Sequence, residues 1–222
     1  MVSIQMQQNH VFLDVKDAPE NELCSIMKKY GSDKGGDWHN YTRFYYDIFD
    51  KLGTKNIFEL GLGTNNITIP SNMGADGVPG ASHRGWKEWF PNAMVWGADI
   101  DKNILFSDDR IQTFYVDQTN PLAIRELVAK IPDQDIIIDD GLHTFEANHC
   151  FWKHMYTRVK PGGMYVIEDI NLRDFALFES HFDEYTRYFE KVQIVELSSN
   201  HNKLDNALVV MYNKKPRNVT PL

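Results

Sequence analysis

The sequence predicts an α/β fold: a Rossmann-like sheet of seven mostly parallel strands with helices on both faces. Short β-branched apolar runs alternate with amphipathic segments, an order typical of parallel strands joined by crossover helices. The last two apolar runs are joined by the polar segment 198–205, which is too short for a helical crossover, so the last strand should be antiparallel. With 222 residues, the chain suits one large domain.

The elements are assigned in order along the chain. Strands are predicted at 56–60, 94–99, 112–116, 135–139, 164–167, 192–197 and 207–211. The segments between them carry apolar residues three and four positions apart, as helices with one buried face do. Two more helices precede the first strand and flank a glycine-rich loop at 31–40. We therefore divide the chain into an N-terminal helical lid or brace, residues 1–55, and a compact catalytic unit, residues 56–222.

Composition and charge exclude several classes of function. There are 23 basic and 31 acidic residues, a net charge of −8, so nucleic acid and anionic membranes are not expected partners. No apolar run approaches the roughly 18 residues that a membrane-spanning helix needs. The start of the sequence is polar and shows no signal-peptide pattern, which leads us to expect a cytoplasmic protein.

A glycine turn follows the first predicted strand. Gly61 and Gly63 form a G-x-G sequence in which the backbone can approach a ligand closely. A dinucleotide-binding fingerprint needs a third glycine three positions later, but that residue is Asn66, so NAD or FAD binding loses support. Glu59 precedes the turn, and we interpret it as part of the cofactor site.

Polar residues also end the next two strands. Asp99 is placed to hold ribose hydroxyls, and Asp117 and Gln118 lie where an adenine amino group would be bound. An acidic strand end is often only a helix cap, but three consecutive strand ends of this kind favour a nucleoside-binding edge.

The fourth and fifth strands end in acidic pairs, and a histidine follows the first pair. These residues are Asp139, Asp140, His143, Glu168 and Asp169. The carboxyl ends of parallel strands share one edge, so the five side chains should converge. Four carboxylates in one cleft repel each other, and Mg²⁺ bound by Asp140, Glu168 and Asp169 would relieve this repulsion. Asp139 is either a neighbour of the metal or faces the cofactor; Asp-Gly turns and helix capping are the alternative interpretation.

These motifs resemble those of class I S-adenosylmethionine-dependent methyltransferases, and more closely the metal-dependent sugar O-methyltransferases of the macrocin and mycinamicin type. The resemblance rests on Tyr30-Gly31-Ser32-Asp33-Lys34, His39 with Tyr41-Thr42, Gly80-Ala81-Ser82 with Trp86-Lys87, Asp139-Asp140-Gly141-x-His143, Pro161-Gly162-Gly163 and Val166-Ile167-Glu168-Asp169. It implies that S-adenosylmethionine is the methyl donor, that Asp140, Glu168 and Asp169 bind Mg²⁺ and that His143 is the general base. Family members more often have serine where this chain has Leu142.

Three residues of the N-terminal segment are candidates for the cofactor site. Tyr41 and Thr42 begin a helix whose N-terminus would favour the methionine carboxylate of the cofactor, and Lys34 is placed to pair with that carboxylate. For Tyr41 a core position, and for Lys34 a solvated one, are the alternatives.

The function expected from the sequence is Mg²⁺-dependent O-methylation of a sugar hydroxyl, on a deoxysugar or a glycan residue of the rhamnose type. His143 and Asp140 are the expected catalytic residues. The expected partner is a small sugar or glycan acceptor, and a homo-oligomer is compatible with the sequence. A catechol-like or other small-molecule acceptor is the alternative within the fold, and a non-catalytic nucleotide-binding module is the alternative of another class.

Overall fold

The structure is a computed structural model that describes residues 3–7, 9–36 and 38–214. Residues 1–2 and 215–222, at the ends of the two predicted regions, lie outside the described residues. The described residues form one ten-stranded sheet together with seven α-helices. The strands are β1 (Ser3–Gln7), β2 (His10–Asp14), β3 (Asn56–Leu60), β4 (Met94–Asp99), β5 (Ser107–Asp108), β6 (Ile111–Tyr115), β7 (Gln134–Asp139), β8 (Val159–Ile167), β9 (Lys191–Leu197) and β10 (Ala207–Tyr212). The helices are α1 (Glu22–Tyr30), α2 (Thr42–Ile48), α3 (Ala81–Trp89), α4 (Pro121–Val128), α5 (Phe145–Met155), α6 (Phe175–Ser180) and α7 (Phe182–Tyr185).

The sheet has the order β1-β2-β9-β10-β8-β7-β3-β4-β6-β5. All seven predicted strands are present, as β3, β4, β6, β7, β8, β9 and β10. The last strand, β10, runs antiparallel to both of its neighbours, β8 and β9. The predicted Rossmann-like fold with an antiparallel last strand is therefore confirmed.

Three strands were not predicted, and they widen the sheet at both edges. β1 and β2 form an antiparallel hairpin, and β2 pairs in parallel with β9. The N-terminal segment predicted to be helical therefore begins as part of the sheet. At the other edge, the two-residue strand β5 pairs with β6 and is too short to leave a periodic pattern in the sequence.

Two apolar cores cover the two faces of the sheet. Alternation along β3 sends Ile57 into one core and Phe58 into the other, and Ile136 and Ile137 on β7 divide in the same way. Buried residues of α4, α5, α6 and α7 complete the first core, whereas those of α1, α2 and α3 complete the second. Each face is closed by helices, as an all-parallel central sheet requires. No helix within the described residues is long and apolar enough to cross a bilayer.

The strand order reverses between β3 and β7. The chain runs from β3 outward to β4 and β6, and then returns to place β7 on the other side of β3. In open α/β sheets, ligands bind beyond the carboxyl ends of the strands at such a switch point. Gly61 follows β3 and Asp140 follows β7, so both lie at this position.

Candidate active site

A cavity of about 760 Å³ opens at the switch point. It has the size of pockets that bind cofactors and drug-sized ligands. Eleven of the residues predicted for the site line it: Lys34, Tyr41, Gly61, Gly63, Asp99, Asp117, Gln118, Asp140, His143, Glu168 and Asp169. The other three, Thr42, Glu59 and Asp139, are fully buried behind its wall.

The glycine turn forms one side of the cavity. Gly61 has a φ of +92°, and a Cβ at this position would lie 1.9 Å from the carbonyl oxygen of Asp140. Only glycine allows both this conformation and this close approach. Next to the turn, Asp99 accepts hydrogen bonds from the backbone N–H groups of Leu62 at 2.7 Å and Asp101 at 2.8 Å. These bonds fix the carboxylate at the cavity surface, and each oxygen keeps a lone pair for a ligand hydroxyl.

Gln118 lines the cavity and at the same time supports the loop after β7. Its amide nitrogen donates to both carboxylate oxygens of Asp139, at 2.8 and 3.0 Å, and its amide oxygen accepts from the backbone N–H of Leu142 at 2.8 Å. Burial raises the pKa of Asp139 to about 7. Asp139 was predicted either to neighbour the metal or to face the cofactor; the structure instead buries it against Gln118, where it positions the segment that carries Asp140 and His143.

His143 lies between two carboxylates. Its Nε2 is 3.0 Å from Oδ1 of Asp140, and its Nδ1 is 3.5 Å from Oδ2 of Asp169. His143 and Asp169 have φ angles of +58° and +55°, in the left-handed region that is uncommon for residues other than glycine and that Asn, Asp and His adopt more often than the rest. Such backbone strain concentrates at functional sites, where surrounding contacts hold it in place.

Lys34 contributes a buried cation to the site. Its Nζ contacts carboxylate oxygens of both Asp140 and Glu168, and lies 3.3 Å from Oε1 of Glu59. The backbone of Lys34 is held by two contacts. Thr42 Oγ1 donates a hydrogen bond to the Lys34 carbonyl. The next residue, Gly35, packs so closely on α1 that a Cβ there would lie 2.7 Å from the carbonyl oxygen of Cys24. Lys34 was predicted to pair with a cofactor carboxylate, but the structure pairs it with three carboxylates of the protein itself.

Two further predicted residues have supporting positions. Thr42 was assigned to the cofactor, but its hydroxyl holds the Lys34 backbone inside the fold. Glu59 was also assigned to the cofactor. Its carboxylate accepts hydrogen bonds from Ser82 Oγ, at 2.9 Å, and from Trp86 Nε1, in addition to the Lys34 contact. Because neither side chain reaches the cavity, we correct both assignments to supporting positions.

Tyrosines of the α2 region fix the remaining carboxylates. Tyr45 donates a hydrogen bond of 2.6 Å to Oε1 of Glu168, and Tyr41 donates one of 2.7 Å to Oδ1 of Asp169. Tyr45 was not predicted, because its spacing in an amphipathic helix is that of a core residue. His39 was not assigned a role either; its Nδ1 lies 3.5 Å from Oδ1 of Asp169. The alternative interpretation of Tyr41 as a core residue agrees with its buried ring, whereas its hydroxyl reaches the site and donates to Asp169.

Burial and neighbouring charges shift the pKa values of the side chains in the site. Burial alone would lower the pKa of His143, but the Asp169 and Asp140 carboxylates outweigh it and raise this pKa to about 9. Burial also disfavours a charged Lys34, yet its carboxylate partners hold the pKa well above the usual range. Burial, opposed in part by Lys34, raises the pKa of Glu168 well above the usual value. Four carboxyl groups, those of Glu59, Asp140, Glu168 and Asp169, therefore share the two cations Lys34 and His143.

The pairing of His143 leads to a titration prediction. In chelator-treated protein, the imidazole C2 proton should titrate with a midpoint near 9, well above the usual value of about 6.5. Since the folded pKa is the raised one, the pairing stabilises the fold fully below about pH 6.5 and is lost as the pH rises through 9. Asp169→Asn should lower the midpoint measured by NMR, and Asp117→Asn should not. A wild-type midpoint at or below the usual value would refute the ion pairs.

The donor groups fit a hard divalent cation. One ligand atom each of Asp140, His143 and Asp169 lies within 4.8 Å of the others. Glu168 lines the same cavity, although Lys34 and Tyr45 bind its oxygens. Carboxylate oxygens are the ligands that Mg²⁺ prefers, and the excess of carboxylates over cations favours a bound metal ion.

No protein-family model matches the chain. Among curated proteins, it is 30% identical over 174 residues to the 8-demethyl-8-alpha-L-rhamnosyl tetracenomycin-C 2'-O-methyltransferase of Streptomyces olivaceus. The aligned region covers 78% of this chain and 44% of that protein. It is 33% identical over 149 residues to the demethylmacrocin O-methyltransferase of Streptomyces fradiae, where the aligned region covers 67% of this chain and 36% of that protein. The chain thus spans less than half the length of these relatives.

A solved structure shares the fold. The MycE methyltransferase of the mycinamycin biosynthetic pathway, in complex with Mg and SAH, superimposes with a TM-score of 0.68 at 20% identity, covering 89% of this chain and 56% of that chain. The curated relatives are sugar O-methyltransferases, so the resemblance predicted from the sequence motifs is confirmed.

Proposed function

From its similarity to sugar O-methyltransferases, we propose that this chain transfers a methyl group from S-adenosylmethionine to a sugar hydroxyl in a reaction that requires Mg²⁺. The observation that carries the proposal is the convergence of His143, Asp140 and Asp169 at a cavity that the glycine turn and Asp99 also line. A proton acceptor, a cation site and a nucleoside-binding edge are the three parts that this reaction needs. The cytoplasmic location and the oligomeric state stay predictions.

The cofactor side of the cavity is assigned to the first three strand ends of the central sheet. Gly61 and Gly63 let the backbone approach the donor closely, and Asp99 presents carboxylate oxygens to the ribose hydroxyls. Asp117 and Gln118 lie at the adjoining part of the wall, where they would contact the adenine. Tyr41 also lines the cavity and donates a hydrogen bond to Asp169.

His143 is assigned as the general base. A sugar hydroxyl is a weak acid, so its proton has to be removed as the new bond to the methyl carbon forms. The shorter contact, to Asp140, keeps a proton on Nε2, so Nδ1 is the nitrogen that would accept the proton of the acceptor. Because the carboxylates alone raise the pKa of His143 to about 9, this role needs the charge of a bound metal ion, which would lower that pKa and leave the imidazole neutral. Asp169 then faces the imidazolium and stabilises it. The transferred methyl group leaves the donor sulfur, and the acceptor oxygen gains it as its proton passes to His143.

Asp140, Glu168 and Asp169 are the residues that would hold Mg²⁺. When bound, the metal supplies positive charge that stabilises the negative charge developing on the acceptor oxygen. Lys34 and Tyr45 keep the Glu168 carboxylate in place, and Tyr41 does the same for Asp169. These contacts fix the carboxylates before any ligand binds, which reduces the cost of organising the site.

Trp38 is the side chain that we assign to the acceptor. It lines the cavity and is 52% exposed, although a tryptophan is usually covered when nothing binds to it. Its indole ring stands nearly perpendicular to the His39 ring, at an interplanar angle of 86°. The C–H face of a pyranose ring is apolar and matches such an aromatic surface.

Trp38→Ala should therefore weaken acceptor binding and leave donor binding unchanged. We expect the KM for a sugar acceptor to rise about two- to tenfold, the change that corresponds to roughly 0.5–1.5 kcal/mol, the size of a stacking contact with an aromatic ring. Trp38→Phe keeps an aromatic face and should recover most of the affinity. An unchanged acceptor KM in Trp38→Ala would remove Trp38 from the acceptor site.

Calorimetry separates the proposed function from its alternatives. Titration with S-adenosylmethionine should give saturable binding, whereas NAD should not bind. Titration with Mg²⁺ should also saturate, and Asp140→Asn should weaken that binding. Binding of NAD with no response to S-adenosylmethionine would overturn the proposal, and binding of S-adenosylmethionine without methyl transfer to any sugar would favour the non-catalytic alternative.

A further inference from the structure

A second cluster of metal-binding side chains lies away from the cavity. His149 on α5, His181 between α6 and α7, and Glu184 in α7 each offer one ligand atom, and these atoms lie within 4.8 Å of one another. His149 Nε2 is 3.5 Å from Oε2 of Glu184, and the two imidazole rings have centroids 4.8 Å apart. None of the three residues lines the cavity.

The hydrogen bonds of His181 leave one ring nitrogen available as a ligand. Its Nδ1 is 2.9 Å from the carbonyl oxygen of Leu177, which can only accept, and 3.0 Å from Oγ of Ser180. Because the Ser180 hydroxyl donates its own proton to the same carbonyl at 2.7 Å, Nδ1 is the group that carries the remaining proton. Nε2 therefore keeps its lone pair. A ligand histidine in a metal site is oriented in this way, by donating its other N–H to a backbone carbonyl.

His149 is held in a fixed and uncharged state. Its ring lies nearly parallel to those of Phe145 and Trp152, and Nδ1 is 3.3 Å from the hydroxyl of Tyr185. Burial, with a smaller contribution from the charge of Lys153, lowers the pKa of His149 to about 4. The imidazole is therefore neutral at physiological pH, which is the form that binds metal ions.

The backbone also fixes the relation between His181 and Glu184. The N–H of Glu184 donates to the carbonyl of His181 at 2.9 Å, so both side chains belong to one turn. Lys153 is the one competing cation found next to the cluster among the described residues, with Nζ 4.0 Å from Oε1 of Glu184. The other carboxylate oxygen of Glu184, Oε2, faces His149.

We propose that His149, His181 and Glu184 form a second metal site, for a transition-metal dication such as Zn²⁺. Two imidazole nitrogens and one carboxylate oxygen suit Zn²⁺, whereas Mg²⁺ prefers oxygen ligands alone. The bound ion joins α5, which begins two residues after His143, to α7. The site is independent of the proposed methyl transfer, and it stabilises the helices on this face of the sheet.

Calorimetric titration of the full chain with Zn²⁺, in excess Mg²⁺ to occupy the cavity carboxylates, tests this site. One Zn²⁺ should bind, and His149→Ala and His181→Ala should each weaken binding by roughly tenfold or more. His154→Ala, on the same helix but outside the cluster, is the matched control and should bind as wild type does. Co²⁺ in place of Zn²⁺ should give visible absorption bands that His181→Ala abolishes.

Thermal unfolding with and without Zn²⁺ gives a second measure of metal binding, because an ion that binds the folded protein raises its Tm. Zn²⁺ should raise the Tm of wild type and of His154→Ala, and should not raise that of His181→Ala. His181 is only partly buried, so this variant decides the outcome if His149→Ala does not fold. Absence of Zn²⁺ binding, binding that both histidine variants retain, or binding that Asp140→Asn removes would each overturn the proposal.

Discussion

Replacing His143 with asparagine is expected to reduce methyl transfer to a sugar hydroxyl by about 10²–10⁴-fold, the range that positioned acid–base groups contribute. Asparagine tolerates the positive φ of this position better than alanine, so the loss would reflect the missing base and not a changed backbone. Binding of S-adenosylmethionine should be unchanged, because His143 faces Asp140 and Asp169 and lies outside the glycine turn. Single-turnover assays and calorimetry on the same variant measure the two quantities.

The control for this variant is His154→Asn, a histidine on α5 that does not line the cavity. It should retain wild-type turnover. If His143→Asn kept near-normal turnover, the assignment of the base would be wrong; if it also lost the donor, His143 would have a structural role instead.

Replacing Lys34 with methionine is expected to destabilise the fold by about 3–5 kcal/mol, the cost of breaking a buried ion pair by removing one partner. The side chain of Lys34 is 4% exposed, and those of Glu59 and Glu168 are fully buried. Without the ammonium group these carboxylates lose their counter-charge in the interior and keep only neutral donors, Ser82, Trp86 and Tyr45. Urea unfolding of the chelator-treated protein measures the difference in the free energy of unfolding.

A second variant identifies the cause of that loss. Adding Glu168→Gln to Lys34→Met removes one of the stranded carboxylates and should restore part of the stability. Lys29→Met, which breaks an exposed pair with Glu88, should have a much smaller effect. Equal stability of Lys34→Met and wild type would show that the charge network contributes nothing to the fold.

The sequence predicted the central sheet well because its strands are buried on both faces and leave continuous apolar runs. The hairpin of β1 and β2 was missed although alternating apolar residues, Ile4 and Met6 in β1 and Val11 and Leu13 in β2, mark it in the sequence. Strand β5 was not predicted, because a strand of two residues is too short to show a periodic pattern in the sequence. The antiparallel last pair was predictable because loop length alone restricts the connection.

The candidate site was predictable where one rule of sheet geometry applies. Asp140, His143, Glu168 and Asp169 follow strands β7 and β8, which lie side by side, and so they converge. Lys34 could not be placed in this way. It lies 106 residues before Asp140, and lysine is ordinarily exposed, so its burial among three carboxylates depends on the packing of α1 and α2.

Tyr45 and Trp38 illustrate the two remaining kinds of error. Tyr45 has the spacing of a core residue, and only the three-dimensional arrangement shows that its hydroxyl reaches Glu168. Trp38 lies in a glycine-rich loop without periodicity, so its exposure at the cavity could not be inferred from the sequence pattern.

Methyl transfer itself is the most direct measurement. The purified chain is incubated with S-adenosylmethionine carrying an isotopically labelled methyl group and a panel of rhamnoside and other deoxysugar glycosides, with Mg²⁺ or with chelator. We expect label in a sugar ether when Mg²⁺ is present, and loss of the label with chelator or with His143→Asn. Transfer that is equally fast with chelator, or label that appears only on catechols and never on a sugar, would contradict the proposed function.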